Sequence, residues 1–140
     1  MKIFNVLVGT IPVYDGCVLL TQRSATERFM PEAWGLPCGK INFSERLEEA
    51  VARELLEETG LHGNDIHIVG YSMFMSHKDD NDLHNLQINY VVHISQPEPV
   101  ILDKSSQAYK WIPLEQYHHE GLDEFTCSTL KQALKYSRKE

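Results

Sequence analysis

Three glutamates near the end of a predicted helix are the residues whose spacing points most directly to chemistry. Glu54, Glu57 and Glu58 lie three and four positions apart, so a helix makes them neighbours on one face. The apolar residues between positions 47 and 51 precede them on that face. The pattern predicts a stripe that faces the core at its start and becomes acidic towards its end.

This arrangement is unfavourable for helix stability. The carboxylates repel one another, and they crowd the negative end of the helix dipole at a cost of roughly 0.3–1 kcal/mol each. A hard divalent cation removes the conflict, because Mg²⁺ takes carboxylate oxygens and bridges them to substrate phosphates. The competing interpretation is a solvated acidic helix end balanced by Arg46, Arg53 and Lys40.

The residues around the glutamates complete a longer pattern that resembles the Nudix box, G-x5-E-x7-R-E-U-x-E-E-x-G-U, in which U is a bulky apolar residue. The resemblance extends to an N-terminal hairpin that ends in Arg23 and to the segment Trp34–Pro37. The box spans residues 39–61 and has no departure at a fixed position; its residues are Gly39, Glu45, Arg53, Glu54, Leu55, Glu57, Glu58, Gly60 and Leu61.

The resemblance implies a metal-dependent hydrolase that directs water onto a phosphorus atom of a diphosphate. It implies Mg²⁺, with Mn²⁺ as the alternative, and Glu54 or Glu57 as the acceptor of the water's proton. In some family members a residue on a distant loop takes this role. The implied catalytic residues are Glu54, Glu57, Arg53 and Glu45; the implied metal ligands are Gly39, through its carbonyl oxygen, Glu54, Glu57 and Glu58; candidates for a distant base are Asp79, Asp80, Asp82, Glu98 and Asp103.

Four residues near the box are candidates for substrate binding. Arg23, Arg28 and Lys40 can grip phosphate, or they can be solvated surface cations. Trp34 can stack on a base, or it can hold its loop in the core. One departure concerns the usual Pro-Gly-Gly before the box, which here reads Pro37-Cys38-Gly39. Cys38 therefore puts the local substrate contact in question.

The elements that must position these residues follow from periodicity and turn signals. We predict an α/β fold, a Nudix-type α/β/α sandwich with a mixed β-sheet between helices, in a single domain over residues 1–140. The first helix covers Glu45–Thr59, with Ser44 as its N-cap and Gly60 at its end. The other predicted elements are strands at 2–13, 17–23, 66–76, 86–96 and 109–112, a loop at 77–84, and a C-terminal helix at 126–136.

Composition narrows the classes of function. The 140 residues carry a formal net charge of −7, which disfavours general nucleic-acid binding. No apolar run is long enough to span a membrane. The 3 cysteines, odd in number and far apart, fit free thiols in the cytoplasm. They form no C-x-x-C pattern, and the 7 histidines show no metal-ligand spacing.

The substrate is left open by these observations. We expect a small-molecule nucleotide, with a nucleoside triphosphate favoured by size and exclusion, and the resemblance also allows a homodimer. One alternative is a catalytically silent nucleotide-binding regulatory module, although such a module would be expected to lose box carboxylates. A coenzyme A-type diphosphatase is the other, because residues 19–24 resemble its motif until Glu32, Leu36 and Cys38 depart from it.

Overall fold

The computed structural model describes residues 1–96 and 98–139 and consists of seven strands, two α-helices and a short 3₁₀ helix. The strands are β1 (Lys2–Tyr14), β2 (Cys17–Arg23), β3 (Trp34–Gly35), β4 (Cys38–Lys40), β5 (Asp65–Lys78), β6 (Asn81–His93) and β7 (Ser106–Pro113). The helices are α1 (Leu47–Thr59), the 3₁₀ helix (Leu114–His119) and α2 (Glu124–Lys139). Pro97 and Glu140 lie outside the described residues, and one domain over residues 1–140 stays a prediction.

The sheet is mixed, as predicted. Its main strand order is β3-β2-β1-β6-β5, with β4 paired to β1 and β7 paired to β2. The long strand β1 runs parallel to β6 along nearly its whole length. On its other side β1 pairs with β4 at Leu7–Gly9 and with β2 only at Val13 and Tyr14. Strands β4 and β2 thus share one edge of β1, which leaves room between β1 and β2. In that space β4 brings residues 38–40 towards α1.

The two α-helices cover opposite faces of the sheet. Ala50, Val51 and Leu55 of α1 are fully buried against Val8, Leu19, Tyr90 and Val92. Leu130 and Ala133 of α2 pack in a second cluster with Ile11, Val18, Leu20 and Val91. Residues 18–20 of β2 therefore alternate between the two cores, as a strand covered on both faces must. The predicted α/β/α sandwich is confirmed.

Helix α1 begins later than predicted, and Ser44 is not its cap. Ser44 has a left-handed backbone with φ 64°, and Arg46 occupies the N-cap position. The carboxylate of Glu49 accepts a hydrogen bond from the Arg46 N–H at 3.3 Å, which satisfies one free donor of the first turn. The end of the helix is as predicted, because Gly60 adopts φ 73° and donates its N–H to the Leu56 carbonyl.

The observed strands also differ from the predicted ones where a strand has few apolar residues. The predicted loop at 77–84 is a tight hairpin in which only Asp79 and Asp80, both at positive φ, separate β5 from β6. The main-chain pairing with β6 carries β5 through the polar residues at its end. The short strands β3 and β4 and the 3₁₀ helix were not predicted. No helix in the described part of the chain combines the length and the apolar character that a membrane span requires.

Adjacent leucines of α1 offer a test of this packing. Leu55 is fully buried and Leu56 is 45% exposed. We expect Leu55→Ala to lower the free energy of unfolding by about 2–5 kcal/mol, because it leaves a cavity in the core. Leu56→Ala should stay within about 0.5 kcal/mol of the parent protein. Urea unfolding followed by circular dichroism measures both values, and equal losses would contradict the orientation of α1.

Candidate active site

Arg53 is the centre of the ionic network at the end of α1. Its Nε and Nη2 donate to the two carboxylate oxygens of Glu45 at 2.7 and 2.9 Å. Its Nη1 donates to Glu54 at 2.8 Å, and Nη2 also donates to the carbonyl oxygen of Lys40 at 3.0 Å. One guanidinium therefore joins α1 to the segment before it and to β4, with the paired geometry that suits arginine and carboxylate.

Glu45 is held as a carboxylate by this network. The hydrogen bonds from Arg53, and a further one from the Asn42 N–H at 2.9 Å, lower the pKa of Glu45 to about 2. Arg53 in turn has its pKa raised, chiefly by the hydrogen bond to Glu45. Both groups of the pair are therefore charged at neutral pH, and the same guanidinium bonds Glu54.

Glu54 lies directly against the backbone of Gly39. A Cβ atom at position 39 would overlap the carboxylate of Glu54, so only glycine leaves room for it. The side chain of Glu54 is 13% exposed. Burial raises the pKa of Glu54, and the hydrogen bond and charge of Arg53 oppose that rise.

Glu58 is the residue of the cluster that has a buried oxygen without a hydrogen-bond partner. Its Oε2 is buried and accepts no hydrogen bond. Burial, followed by the charges of Glu54 and Asp103, raises the pKa of Glu58 to about 9. A buried carboxylate oxygen without a donor costs free energy unless a cation or a proton meets it. The orphaned oxygen marks a position that favours a positively charged ligand.

Glu57 completes the cluster from the solvent side. Its side chain is 56% exposed, and its carboxylate lies 3.4 Å from Nη1 of Arg53. The last turn of α1 contains no basic residue to balance the three glutamates. Arg53 therefore joins three of the predicted residues, Glu45, Glu54 and Glu57, whereas the buried Oε2 of Glu58 accepts no hydrogen bond from the network.

A cavity of about 940 Å³ opens beside this cluster. Glu58, Cys38 and Lys40 line it on the side of α1 and β4, and Arg23 lines it from β2. Its volume lies at the upper end of the range for small-molecule sites, roughly 300–1,000 Å³. The cavity therefore has room for a ligand much larger than a phosphate group.

The structure places the four predicted substrate-binding residues, Arg23, Arg28, Lys40 and Trp34, around this cavity. Arg23 donates its Nε to the carbonyl oxygen of Phe29 at 2.6 Å, and its charge acts on Glu58. Arg28 and Lys40 are exposed. Trp34 packs on the core under α2 and also faces the cavity, with Nζ of Lys110 4.4 Å from its ring centroid. Both interpretations of Trp34 are thus compatible with its position.

Part of the cavity wall was missed by the sequence analysis. Phe74 of β5 and Phe125 of α2 meet edge to face with ring centroids 5.1 Å apart, and both line the cavity. The buried amides of Asn85 and Gln87 line it from β6. Their alternation along one strand was a signal for one shared face, but nothing in the sequence indicated what lies opposite that face.

Two further residues that the sequence singled out are Cys38, which precedes the box glycine, and Asp103, a candidate for the distant base. Burial raises the pKa of the Cys38 thiol to about 12, so Cys38 lines the cavity as a neutral thiol. Among the five residues considered as distant bases, Asp103 lies close enough for its charge to act on Glu58. A hydrogen bond from the N–H of Ser105 orients the Asp103 carboxylate at 3.0 Å.

Comparison with known sequences identifies relatives over most of the chain. Residues 4–131 match the family description of the NUDIX domain. The chain is 25% identical over 130 residues to the nucleoside triphosphatase NudI of Salmonella arizonae, a match that covers 84% of this chain and 87% of that protein. It is 45% identical over 58 residues to the RNA pyrophosphohydrolase of Sphingopyxis alaskensis, but this covers only 41% of this chain and 35% of the relative.

Comparison with solved structures gives the same family. The crystal structure of a MutT NUDIX hydrolase from Burkholderia pseudomallei superposes with a TM-score of 0.77 and 27% identity, covering 93% of this chain and 98% of that one. The predicted resemblance and the predicted hydrolase class are confirmed. With the acidic network, the fold and the family match in agreement, this chain belongs to the NUDIX family and is a Nudix hydrolase.

Proposed function

We propose that this chain is a Mg²⁺-dependent pyrophosphohydrolase that cleaves the diphosphate linkage of a nucleoside triphosphate or of another nucleoside diphosphate derivative. The observation that carries the proposal is the buried, unpartnered Oε2 of Glu58, which lies in a cluster of carboxylates at the edge of a large cavity. A divalent cation satisfies that oxygen and offsets the repulsion among the glutamates.

The residues fit such a cation. Glu54, Glu57, Glu58 and the carbonyl oxygen of Gly39 are all oxygen donors, which is the donor set that Mg²⁺ and Mn²⁺ prefer. The missing Cβ of Gly39 provides the space in which the carboxylate of Glu54 lies. Arg53 fixes Glu54 from the other side and is itself held by Glu45. Such outer contacts orient metal ligands and keep them in place.

Each residue of the network then has a distinct task. The bound cation would neutralise charge on the leaving phosphate and lower the pKa of a water molecule. Glu54 and Glu57 are the candidates for accepting the proton of the attacking water on a carboxylate oxygen, and Asp103 is a third candidate because it lies near Glu58. Arg53 and Glu45 position these groups rather than react. Water attack on phosphorus breaks the bridging P–O bond and releases two phosphate-containing products.

The cavity supports a nucleotide as the substrate. Arg23, Lys40 and Arg28 supply local positive charge in a protein whose formal net charge is −7, and arginine suits phosphate oxygens. Trp34, Phe74 and Phe125 supply aromatic surface on which a base can stack. One named relative is a nucleoside triphosphatase, which supports a nucleoside triphosphate as the substrate, and another is an RNA pyrophosphohydrolase.

The state of the cysteines is relevant to the cellular compartment in which the protein works. Cys17, Cys38 and Cys127 are free thiols, which supports the proposal that the protein works in the reducing cytoplasm. Homodimerisation stays a prediction.

The substrate class is tested by turnover of a panel. We expect the protein with Mg²⁺ to release pyrophosphate or phosphate from one or more nucleoside triphosphates or nucleoside diphosphate conjugates, and to lose this activity with a chelator. Coenzyme A belongs in the panel, since its cleavage would identify the coenzyme A-type diphosphatase instead. Nucleotide binding without any product would favour the silent regulatory module and contradict the proposal.

The metal assignment is tested by Glu57→Gln. Glu57 is exposed at the end of α1, so its neutralisation should leave the fold intact. We expect the catalytic rate to fall by about a hundredfold or more, which corresponds to roughly 2.7 kcal/mol of activation free energy. Glu48→Gln, an exposed glutamate in the first turn of α1, is the matched control and should keep full activity. Equal rates for both variants would refute the assignment.

A pH dependence of stability follows from Glu58. Its pKa is raised from 4.5 to about 9, so without metal the folded protein keeps a proton that the unfolded chain releases. The stabilisation is complete below the unfolded pKa and is lost as the pH rises through the folded pKa. Glu54, whose pKa is also raised, acts in the same direction. The free energy of unfolding of the chelator-treated protein should therefore fall from about pH 5 to about pH 9.

Two comparisons check this expectation by chemical denaturation across the pH range. Glu58→Gln should flatten the dependence, since the amide does not titrate. Saturating Mg²⁺ should stabilise the parent protein more at pH 8 than at pH 5, because the metal competes with protons for the carboxylates. A stability that rises with pH in both proteins would show that Glu58 is not the group responsible.

A further inference from the structure

Asp65, His67 and His93 form a second cluster of potential ligands, far along the sheet from the box. Asp65 and His67 lie at the start of β5, and His93 ends β6. In the antiparallel pairing of these strands, Asp65 is directly opposite His93, and His67 is opposite Val91. Because alternate residues of a strand point to the same side, the three side chains share one face. Val91 belongs to the core cluster under α2, so that face is the one covered by α2.

The geometry of the cluster is convergent. One ligand atom from each of the three side chains lies within 4.8 Å of the other two. Nε2 of His67 is 2.6 Å from Oδ1 of Asp65, and the rings of His67 and His93 have centroids 5.7 Å apart. Tyr136 of α2 stacks on the His67 ring with centroids 5.6 Å apart. Ligands of a tetrahedral ion with bonds of about 2.0–2.1 Å lie roughly 3.3 Å apart, so small rotations of the side chains suffice.

We propose that Asp65, His67 and His93 bind a Zn²⁺-class divalent ion. Two imidazoles and one carboxylate are a donor set that zinc accepts and that magnesium disfavours. The box offers oxygen ligands only, so the two sites select different ions. Three protein ligands leave one position of a tetrahedral ion open to water.

The site joins elements that are distant in sequence. An ion there links the beginning of β5 to the end of β6, beside the aromatic ring that α2 contributes. Since a ligand that binds only the folded state stabilises it by mass action, zinc should raise the unfolding temperature of the chain. It should not be needed for hydrolysis, because none of the three residues lines the cavity next to the box.

The separation of these three residues along the chain explains why the histidines show no metal-ligand spacing in the sequence. Asp65 and His67 are two positions apart, but His93 follows 26 residues after His67 and comes into place only through strand pairing. Among the described residues, these three are the one group of three or more histidine, cysteine, aspartate or glutamate side chains whose ligand atoms all lie within 4.8 Å of one another. His62 pairs with Glu98 at 3.2 Å and supplies a comparison, since it is a histidine–carboxylate pair outside the cluster.

The test measures the zinc affinity of the full chain by competition with a chromophoric chelator. Excess Mg²⁺ is present to compete for the carboxylates of the box. Loss of a hydrogen bond to a metal ligand typically costs tenfold to a hundredfold in affinity. His67→Ala and His93→Ala remove a ligand outright, so each should lose at least about tenfold. His62→Ala is the matched control and should bind zinc like the parent protein. Unchanged zinc affinity in both cluster variants would overturn the proposal.

A second measurement does not depend on the variants. Zinc added to the parent protein in excess Mg²⁺ should shift the imidazole NMR signals of His67 and His93 and leave those of His62 unchanged. It should also raise the unfolding temperature of the parent protein but not of His93→Ala. Shifts confined to other histidines, or no shift at saturating zinc, would refute the site.

Discussion

The active site depends on one guanidinium group that holds like charges together. Three glutamates at the negative end of α1 repel one another, and the last turn of the helix contains no basic residue. Arg53, one turn earlier in the same helix, offsets part of this repulsion by bonding Glu54 and Glu57, and it also bonds Glu45 and the carbonyl oxygen of Lys40. The bond to Lys40 also links α1 to β4, the strand in which Gly39 makes room for the carboxylate of Glu54.

The network compensates only part of the charge. Both oxygens of Glu45 accept hydrogen bonds, which lower its pKa. Glu58 has a buried oxygen without a hydrogen-bond partner and a pKa raised to about 9. The compensation of charge therefore decreases from Glu45 to Glu58, and of these two residues Glu58 is the one that lines the cavity. An unsatisfied buried oxygen of this kind calls for an explanation, and the proposed cation supplies one. Arg23 and Lys40 line the same cavity as Glu58.

The pairing of the strands leaves the space for the cavity beside the box. β1 pairs with β4 in its middle and with β2 only at its end, so the sheet opens beside the box instead of closing over it. The opening is lined by aromatic rings from β5 and α2 and by Glu58 of the box. The same strand pairing brings Asp65, His67 and His93 together at the far end of β5 and β6, which gives one sheet two clusters of different donor chemistry.

Local sequence determined the parts of the protein that depend on residues close together in the chain. The helix end at Gly60, the hairpin from β1 to β2 and the grouping of Glu54, Glu57 and Glu58 follow from turn chemistry and helical periodicity, which act within a few residues. The box pattern also identified Arg53 and Glu45 as supporting residues, and the structure shows them bonded to each other. The helix start was misjudged because Ser44 resembled a cap, whereas the backbone there turns left-handed and Glu49 caps from within the helix.

Only the tertiary structure decided which distant residues meet. Phe74, Asn85 and Phe125 reach one cavity because β5, β6 and α2 pack together, and no local pattern encodes that packing. Glu58 has a buried carboxylate oxygen and Glu57 is exposed although they are neighbours in sequence, because the surroundings of each carboxylate are set by residues of other elements. His93 joins Asp65 for the same reason: strand register is a property of the whole sheet, and it converts a separation of many residues into direct contact.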